Sequence, residues 1–144
     1  MKKGNLLVLC LSLLVSCAVL LVNSSFASAM EFNDLQGNYR MVSSPSGGWL
    51  TSPTRGSIVT FSLENGEMVC RMTKPSPKSY YEVGEIVFNN LYVEDGTIYG
   101  DVMCGSYTEA IVIRVMNNGA DLRVEGDRRS GNKQEFYWGM KRVN

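Results

Sequence analysis

The sequence predicts an all-β protein that folds as one small antiparallel meander barrel of seven or eight strands. From Ser57 onward, short segments alternate apolar and polar residues with the period of two that half-buried strands show. Turn signals rich in Asn and Gly separate these segments roughly every 8 to 12 residues. From Ser57 onward, no stretch of ten or more residues has a helical period. Closure into a barrel is favoured because it leaves no unpaired sheet edge.

The first predicted hairpin begins with a strand from Ser57 to Leu63, in which apolar side chains recur at every second position. Asn65-Gly66 follows as its turn, because Asn-Gly readily adopts the positive φ of a type I′ turn. The return strand places three apolar side chains on one face: Met68, Cys70 and Met72. Pro75 and Pro77 cannot continue the ladder, so this hairpin leads into a loop.

The later strands follow the same alternation. Tyr81 to Phe88 predicts a strand that ends in a turn or bulge at Asn89-Asn90. A second hairpin is predicted to join Leu91–Glu94 to Thr97–Cys104 through the turn Asp95-Gly96. Three further strands are expected: Ala110 to Met116, Asp121 to Asp127, and a last strand carrying Phe136, Trp138 and Met140.

Residues 1–29 have the layout of a secretory signal peptide, with Lys2 and Lys3, an apolar run, and the exit Ala27-Ser28-Ala29. We expect cleavage after Ala29, export to the periplasm or the medium, and a single domain over residues 30–144. Two alternatives are open. The segment could be retained as a membrane anchor. It could also be lipidated at Cys17, because residues 14–17 resemble the bacterial lipobox.

Two cysteines lie outside this leader, Cys70 and Cys104. An even number of cysteines in an exported domain predicts one disulfide between them. A buried pair of free thiols and a redox site are the alternatives. The redox site has less support, because the two residues are not in a Cys-x-x-Cys motif and the chain has no histidine to lower a thiol pKa.

Charge and composition exclude several classes of function. The chain has 14 basic and 14 acidic side chains, of which Lys2 and Lys3 lie in the leader. The domain therefore carries a charge of about −2, without the basic footprint that nucleic acid requires. The absence of histidine removes the usual base for a serine or cysteine nucleophile. The row Asp121, Glu125 and Asp127 is interpreted as a solvated face. We expect no enzyme, no metal and no cofactor.

The two ends of the domain carry a family resemblance. The opening residues 35–42 (LQGNYRMV), the meander, and the closing residues 138–142 (WGMKR) resemble the small lipocalin-like barrels of exported bacterial proteins. The part from Val93 to Arg142 is similar to one such family of unknown function, with Asp-Gly-x-x-Tyr-Gly and Leu-Arg-Val-Glu-Gly motifs. The resemblance implies the fold and brings no established activity.

A non-enzymatic envelope protein that binds a small apolar ligand inside the barrel is the function we expect, although an ordinary packed core fits the same pattern. The candidate lining residues are apolar and inward-facing: Phe61, Met68, Met72, Val102, Ile113, Phe136 and Trp138. The alternative is a protein-binding or inhibitory module of the envelope. Its candidate anchors are aromatic: Trp49, Tyr80, Tyr81, Tyr99 and Tyr107. Membrane contact is expected only with a retained leader or a lipidated Cys17.

Overall fold

The computed structural model describes residues 32–43, 53–131 and 136–144. Eight antiparallel strands form a closed barrel in which each strand pairs with the next and the last pairs with the first. The strands are β1 (Gly37–Met41), β2 (Ile58–Glu64), β3 (Glu67–Lys74), β4 (Ile86–Glu94), β5 (Thr97–Cys104), β6 (Tyr107–Met116), β7 (Asp121–Gly126) and β8 (Tyr137–Val143). A four-residue helix, α1 (Phe32–Leu35), precedes β1. The predicted all-β meander barrel is therefore confirmed.

Two of the predicted tight turns are present. Asn65 and Gly66 have φ angles of 52° and 85°, and Asp95 and Gly96 have φ angles of 49° and 73°. Two consecutive positive φ values match the twist of the flanking strands, which is why Asn-Gly and Asp-Gly occupy these positions. They connect β2 to β3 and β4 to β5.

The strand predicted from Tyr81 to Phe88 was wrong in its boundaries. Tyr81 to Glu85 belongs to a loop, and β4 continues without interruption from Ile86 to Glu94. Asn90 has a φ of 52°, and the pairing register with β5 shifts between Asn89 and Tyr92. The Asn89-Asn90 signal is therefore a bulge inside one strand, because Asn tolerates positive φ without ending the ladder.

A close approach between β4 and β5 depends on Gly100. A Cβ added at this position would collide with Leu91 Cδ2 and would lie 2.9 Å from the carbonyl oxygen of Asn89. Glycine therefore gives the Leu91 side chain the space it occupies beside β5. Leu91 is 8% exposed and belongs to the core.

A row of aromatic rings runs through the core. The centroids of Phe61 and Phe88 lie 5.8 Å apart, those of Phe88 and Trp138 lie 6.2 Å apart, and those of Trp138 and Phe136 lie 5.5 Å apart. Tyr39 meets Phe61 edge to face, with 5.4 Å between centroids. Such ring pairs each stabilise a protein by about 0.5–1.5 kcal/mol beyond the area they bury.

The barrel closes where β1 pairs with β8, from Asn38 opposite Val143 to Met41 opposite Met140. The predicted signal peptide, residues 1–29, lies outside the described residues, and so does Trp49. The described part of the chain contains no helix with the length and hydrophobicity that a membrane span requires.

Candidate functional site

The structure places all seven candidate lining residues in the buried core, each with at most 3% of its surface exposed. Val102 and Ile113 lie on β5 and β6, and Phe136 directly precedes β8. None of the seven is among the described lining residues of the two pockets described below. That these residues line a ligand cavity stays a prediction.

The indole of Trp138 carries an unpaired donor in this core. Its Nε1 has no hydrogen-bond partner among the described residues, although the side chain is only 1% exposed. A buried N–H without an acceptor costs about 1–3 kcal/mol. The ring itself is held between Phe88 and Phe136, so the indole contributes stability through stacking and burial.

The predicted disulfide between Cys70 and Cys104 is corrected by the structure, in which Cys70 is a free and fully buried thiol. Cys70 lies on β3 and Cys104 ends β5, with β4 between them. Two interstrand spacings amount to about 9–10 Å. A disulfide needs Cα atoms within about 7 Å, so the intervening strand separates the two residues too far.

A pocket of about 470 Å³ lies between the loop that connects β3 to β4 and the turn between β5 and β6. We call it the tyrosine pocket. Its described lining residues are Tyr80, Tyr81, Glu85, Ile86, Met103 and Gly105. Four of the six side chains are apolar or aromatic, and Gly105 contributes only its backbone. Among these six, Glu85 alone contributes a carboxylate. The walls are therefore mainly apolar, with one acidic group.

Hydrogen bonds fix the loop that carries the two tyrosines. The Tyr81 hydroxyl donates to the carbonyl oxygen of Met103, which joins the two walls of the pocket directly. The Tyr81 backbone N–H donates to Ser79 Oγ at 3.1 Å. Earlier in the loop, the Ser76 N–H donates to the Oγ of the buried Ser57 at 3.0 Å. The pocket wall is thus tied to the chain segment before β2.

The acidic end of the loop is fixed by its own backbone. The Glu82 N–H donates to Glu85 Oε2 at 2.7 Å, and the Gly84 N–H donates to the carbonyl oxygen of Met72 at 2.7 Å. Arg71 donates to the carbonyl oxygen of Gly84 at 2.8 Å. The position of the Glu85 carboxylate is therefore set by β3 and by the loop.

The cation nearest to this loop in the hydrogen-bond network is already paired. Arg71 donates two hydrogen bonds to Glu64, from Nε at 2.7 Å and from Nη2 at 2.8 Å. These bonds hold the pKa of Glu64 below its ordinary value. The charge of Arg71 is consequently committed to Glu64.

A second pocket, of about 430 Å³, lies on the outer face of β5, β6 and β7. We call it the arginine pocket, because Arg114, Arg128 and Arg129 line it. The Arg129 guanidinium carbon lies 3.7 Å from the centroid of the Tyr99 ring, and Nη1 lies 2.7 Å from Glu94 Oε2. The hydrogen bond to Glu94 raises the pKa of Arg129. Arg129 is thus engaged by groups of the protein itself.

Asp127 differs from the solvated row predicted for Asp121, Glu125 and Asp127. It is 9% exposed, follows β7, and accepts a hydrogen bond of 2.9 Å from the Arg129 N–H. It therefore caps the 3₁₀ turn Arg128–Ser130. Among the described residues, no group of three or more His, Cys, Asp and Glu side chains could hold a metal ion.

Comparisons with known proteins and structures found no relative of this chain. The chain matches no protein-family model, no curated protein and no solved structure. The proposed function therefore rests on the geometry of these pockets and on the pattern of the sequence itself.

The aromatic anchors expected from the sequence have different environments. Tyr80 is 71% exposed, Tyr81 is 7% exposed, and Tyr99 stacks on Tyr92 with 5.5 Å between centroids. The side chain of Tyr107 and all of Trp49 lie outside the description.

Sequence reasoning missed three residues of the tyrosine pocket as site residues: Ile86, Met103 and Gly105. The Tyr80-Tyr81 pair, next to a proline-rich loop, was the available signal. The sequence predicted these two tyrosines as anchors for a protein partner, and only the folded chain shows the residues that lie opposite them.

Proposed function

We propose that the protein is a non-enzymatic binding protein of the cell envelope, with a small apolar ligand held in the tyrosine pocket. The observation that carries this proposal is the pocket itself, with a volume of about 470 Å³ and mainly apolar walls. Small-ligand sites are concave, largely apolar, and supplied with a few fixed polar groups, in the range of about 300–1,000 Å³.

The hydrogen bonds that fix the pocket walls also support binding. Tyr81 bridges to Met103 through its hydroxyl, and Gly84 is held by both Met72 and Arg71. A site that is formed before the ligand arrives loses less conformational entropy on binding.

The lining chemistry supports retention of a ligand without a reaction. The six described lining residues include one carboxylate and two phenols, and no side chain that could serve as a base-activated serine or cysteine nucleophile. The envelope location is proposed from the pattern of residues 1–29.

The test is the binding of the neutral fluorescent dye phenylnaphthylamine by the purified protein and two charge-insertion variants. Met103→Arg places a cation in the wall of the pocket, and we expect at least about tenfold weaker binding, because apolar ligands do not compensate a desolvated charge. Met116→Arg is the matched control. Met116 is 42% exposed and lies at the end of β6 remote from the turn to β5.

Two control measurements make the comparison decisive. Far-ultraviolet circular dichroism and urea unfolding must show that both variants keep the fold. A wild-type protein that does not bind the dye, or a folded Met103→Arg variant with unchanged affinity, would overturn the proposal.

A further inference from the structure

The tyrosine pocket has an asymmetry of charge. Glu85 is the one acidic side chain among its described lining residues, and none of those residues is a lysine or an arginine. Of the other charged side chains on this loop, Lys78 and Glu82 are both exposed and carry opposite charges. The pocket therefore combines apolar walls with an anionic edge.

Among the described residues, no lysine or arginine side chain forms an ion pair with Glu85. Arg71, which reaches the neighbouring Gly84 carbonyl oxygen at 2.8 Å, directs its other donors to Glu64. The Glu85 carboxylate instead accepts the Glu82 backbone N–H through one oxygen, Oε2. This bond holds the group in place without cancelling its charge.

The aromatic lining favours the same sign of ligand charge. Tyr80 and Tyr81 both line the pocket, and Tyr81 is immobilised by its hydrogen bond to the Met103 carbonyl oxygen. The faces of aromatic rings attract cations, and two such rings beside a carboxylate are a common arrangement for alkylammonium groups. Met103 adds a polarisable thioether that adapts to an alkyl chain.

We infer that the ligand of the tyrosine pocket is a cationic amphiphile, with an amine or quaternary ammonium head group beside Glu85 and an apolar tail against Tyr81, Ile86 and Met103. This inference rests on the proposed function, since it specifies the chemistry of the ligand for the same pocket. It excludes fatty acids and other anionic amphiphiles as preferred ligands, because their carboxylate would face Glu85.

The experiment compares three probes with the same tail in a dye-displacement assay with the full chain: octyltrimethylammonium, octanol and octanoate. We expect octyltrimethylammonium to bind about fivefold more tightly than octanol, from the combined attraction of an exposed carboxylate and the aromatic rings. Octanoate is expected to bind most weakly. The preference for the cation should shrink as the salt concentration rises, because the carboxylate is exposed.

Two matched variants locate the origin of the preference. Glu85→Gln keeps the size of the side chain and removes its charge, so more than half of the preference for octyltrimethylammonium over octanol should be lost, and what remains is the share of the aromatic rings. Glu82→Gln removes the same charge from the same loop at a residue that does not line the pocket, and at least half of the preference should remain.

The outcomes separate this inference from the proposed function. Equal binding of the three probes, a preference for octanoate, or a cation preference that Glu85→Gln leaves undiminished would overturn the inference and leave an apolar binding site. Failure of all three probes, together with failure of the neutral dye, would overturn the proposed function.

Discussion

The guanidinium of Arg142 lies over the ring of Tyr39, 4.9 Å from its centroid, and donates a hydrogen bond of 2.5 Å to its hydroxyl. The two residues face each other across the seam between β8 and β1. Arg142 also donates to the carbonyl oxygens of Asp34, Gln36 and Gly119. One side chain thus connects α1, the first strand, the last strand and the 3₁₀ turn Asn117–Gly119.

Replacing this guanidinium should weaken the whole barrel. We expect Arg142→Met to lower the free energy of unfolding by about 2 kcal/mol, because several charge-assisted hydrogen bonds and a cation–π contact are lost. Lys141→Met is the control, since Lys141 is exposed and its nearest carboxylate oxygen, on Asp121, is 4.0 Å away. Its cost should stay below about 0.5 kcal/mol. Urea unfolding of both variants measures the difference, and equal losses would contradict the role given to Arg142.

Tyr39 should make stability depend on pH in the alkaline range. Burial raises the pKa of Tyr39, and Arg142 opposes the shift only in part. A group with a raised folded-state pKa contributes stability that is complete below its unfolded pKa of about 10 and is lost as pH rises through the folded value. We therefore expect the stability of Tyr39→Phe to fall less steeply than that of the wild type above about pH 10. Parallel slopes in urea unfolding against pH would contradict this.

The contact between β4 and β5 at Gly100 gives a test by double mutation. Gly100→Ala should cost about 1–3 kcal/mol, because the new methyl group collides with Leu91. Leu91→Ala should cost about 2–4 kcal/mol through the cavity it leaves. In the double variant the methyl group no longer collides with Leu91 Cδ2 and only its close approach to the backbone remains, so the combined loss should be at least about 1 kcal/mol smaller than the sum. Additive losses would show that the two positions do not share space.

Cys70 should behave as an inert free thiol. Its side chain is fully buried, and burial raises the pKa of the thiol well above its usual range. We expect no alkylation of Cys70 by iodoacetamide in the folded protein, and complete alkylation in denaturant without any reductant. Peptide mass spectrometry reads both states. A Cys70 peptide that is labelled only after reduction would show that Cys70 forms a disulfide.

Trp138 should tolerate loss of its N–H better than loss of its ring. Trp138→Ala removes the stacking with Phe88 and Phe136 and should cost about 3–5 kcal/mol. Trp138→Phe keeps an aromatic ring and removes the unpaired donor, so its cost should be under about 2 kcal/mol. Similar costs in urea unfolding would mean that the indole nitrogen has a partner in solution.

The strands could be predicted from the sequence because each depends on local signals. Thr97–Cys104 was predicted with the bounds that the structure shows, since alternation and an Asp95-Gly96 turn define it fully. The continuation of β4 through Asn90 could not be predicted, because an asparagine at positive φ serves a turn or a bulge equally well.

Contacts between residues on different strands were harder to predict from the sequence. The Cys70–Cys104 prediction used only the number of cysteines, whereas the distance depends on the strand order of the barrel. Asp127 matched the polar alternation of β7, but its burial arises from the 3₁₀ turn that follows. The tyrosine pocket was not predicted for the same reason, since Met103 and Gly105 are remote in sequence from Tyr80.

Because β1 hydrogen-bonds to β8 in the same way as to β2, the order of strands in space is a ring with no beginning. Asn38 and Val143 are direct neighbours, so a short linker could join the two ends of this ring. If the chain were then reopened at the exposed turn Asp95-Gly96, every strand would keep both of its neighbours. A circular permutant of this kind should reach the same fold, because its strands form the same pairs whichever turn carries the chain ends.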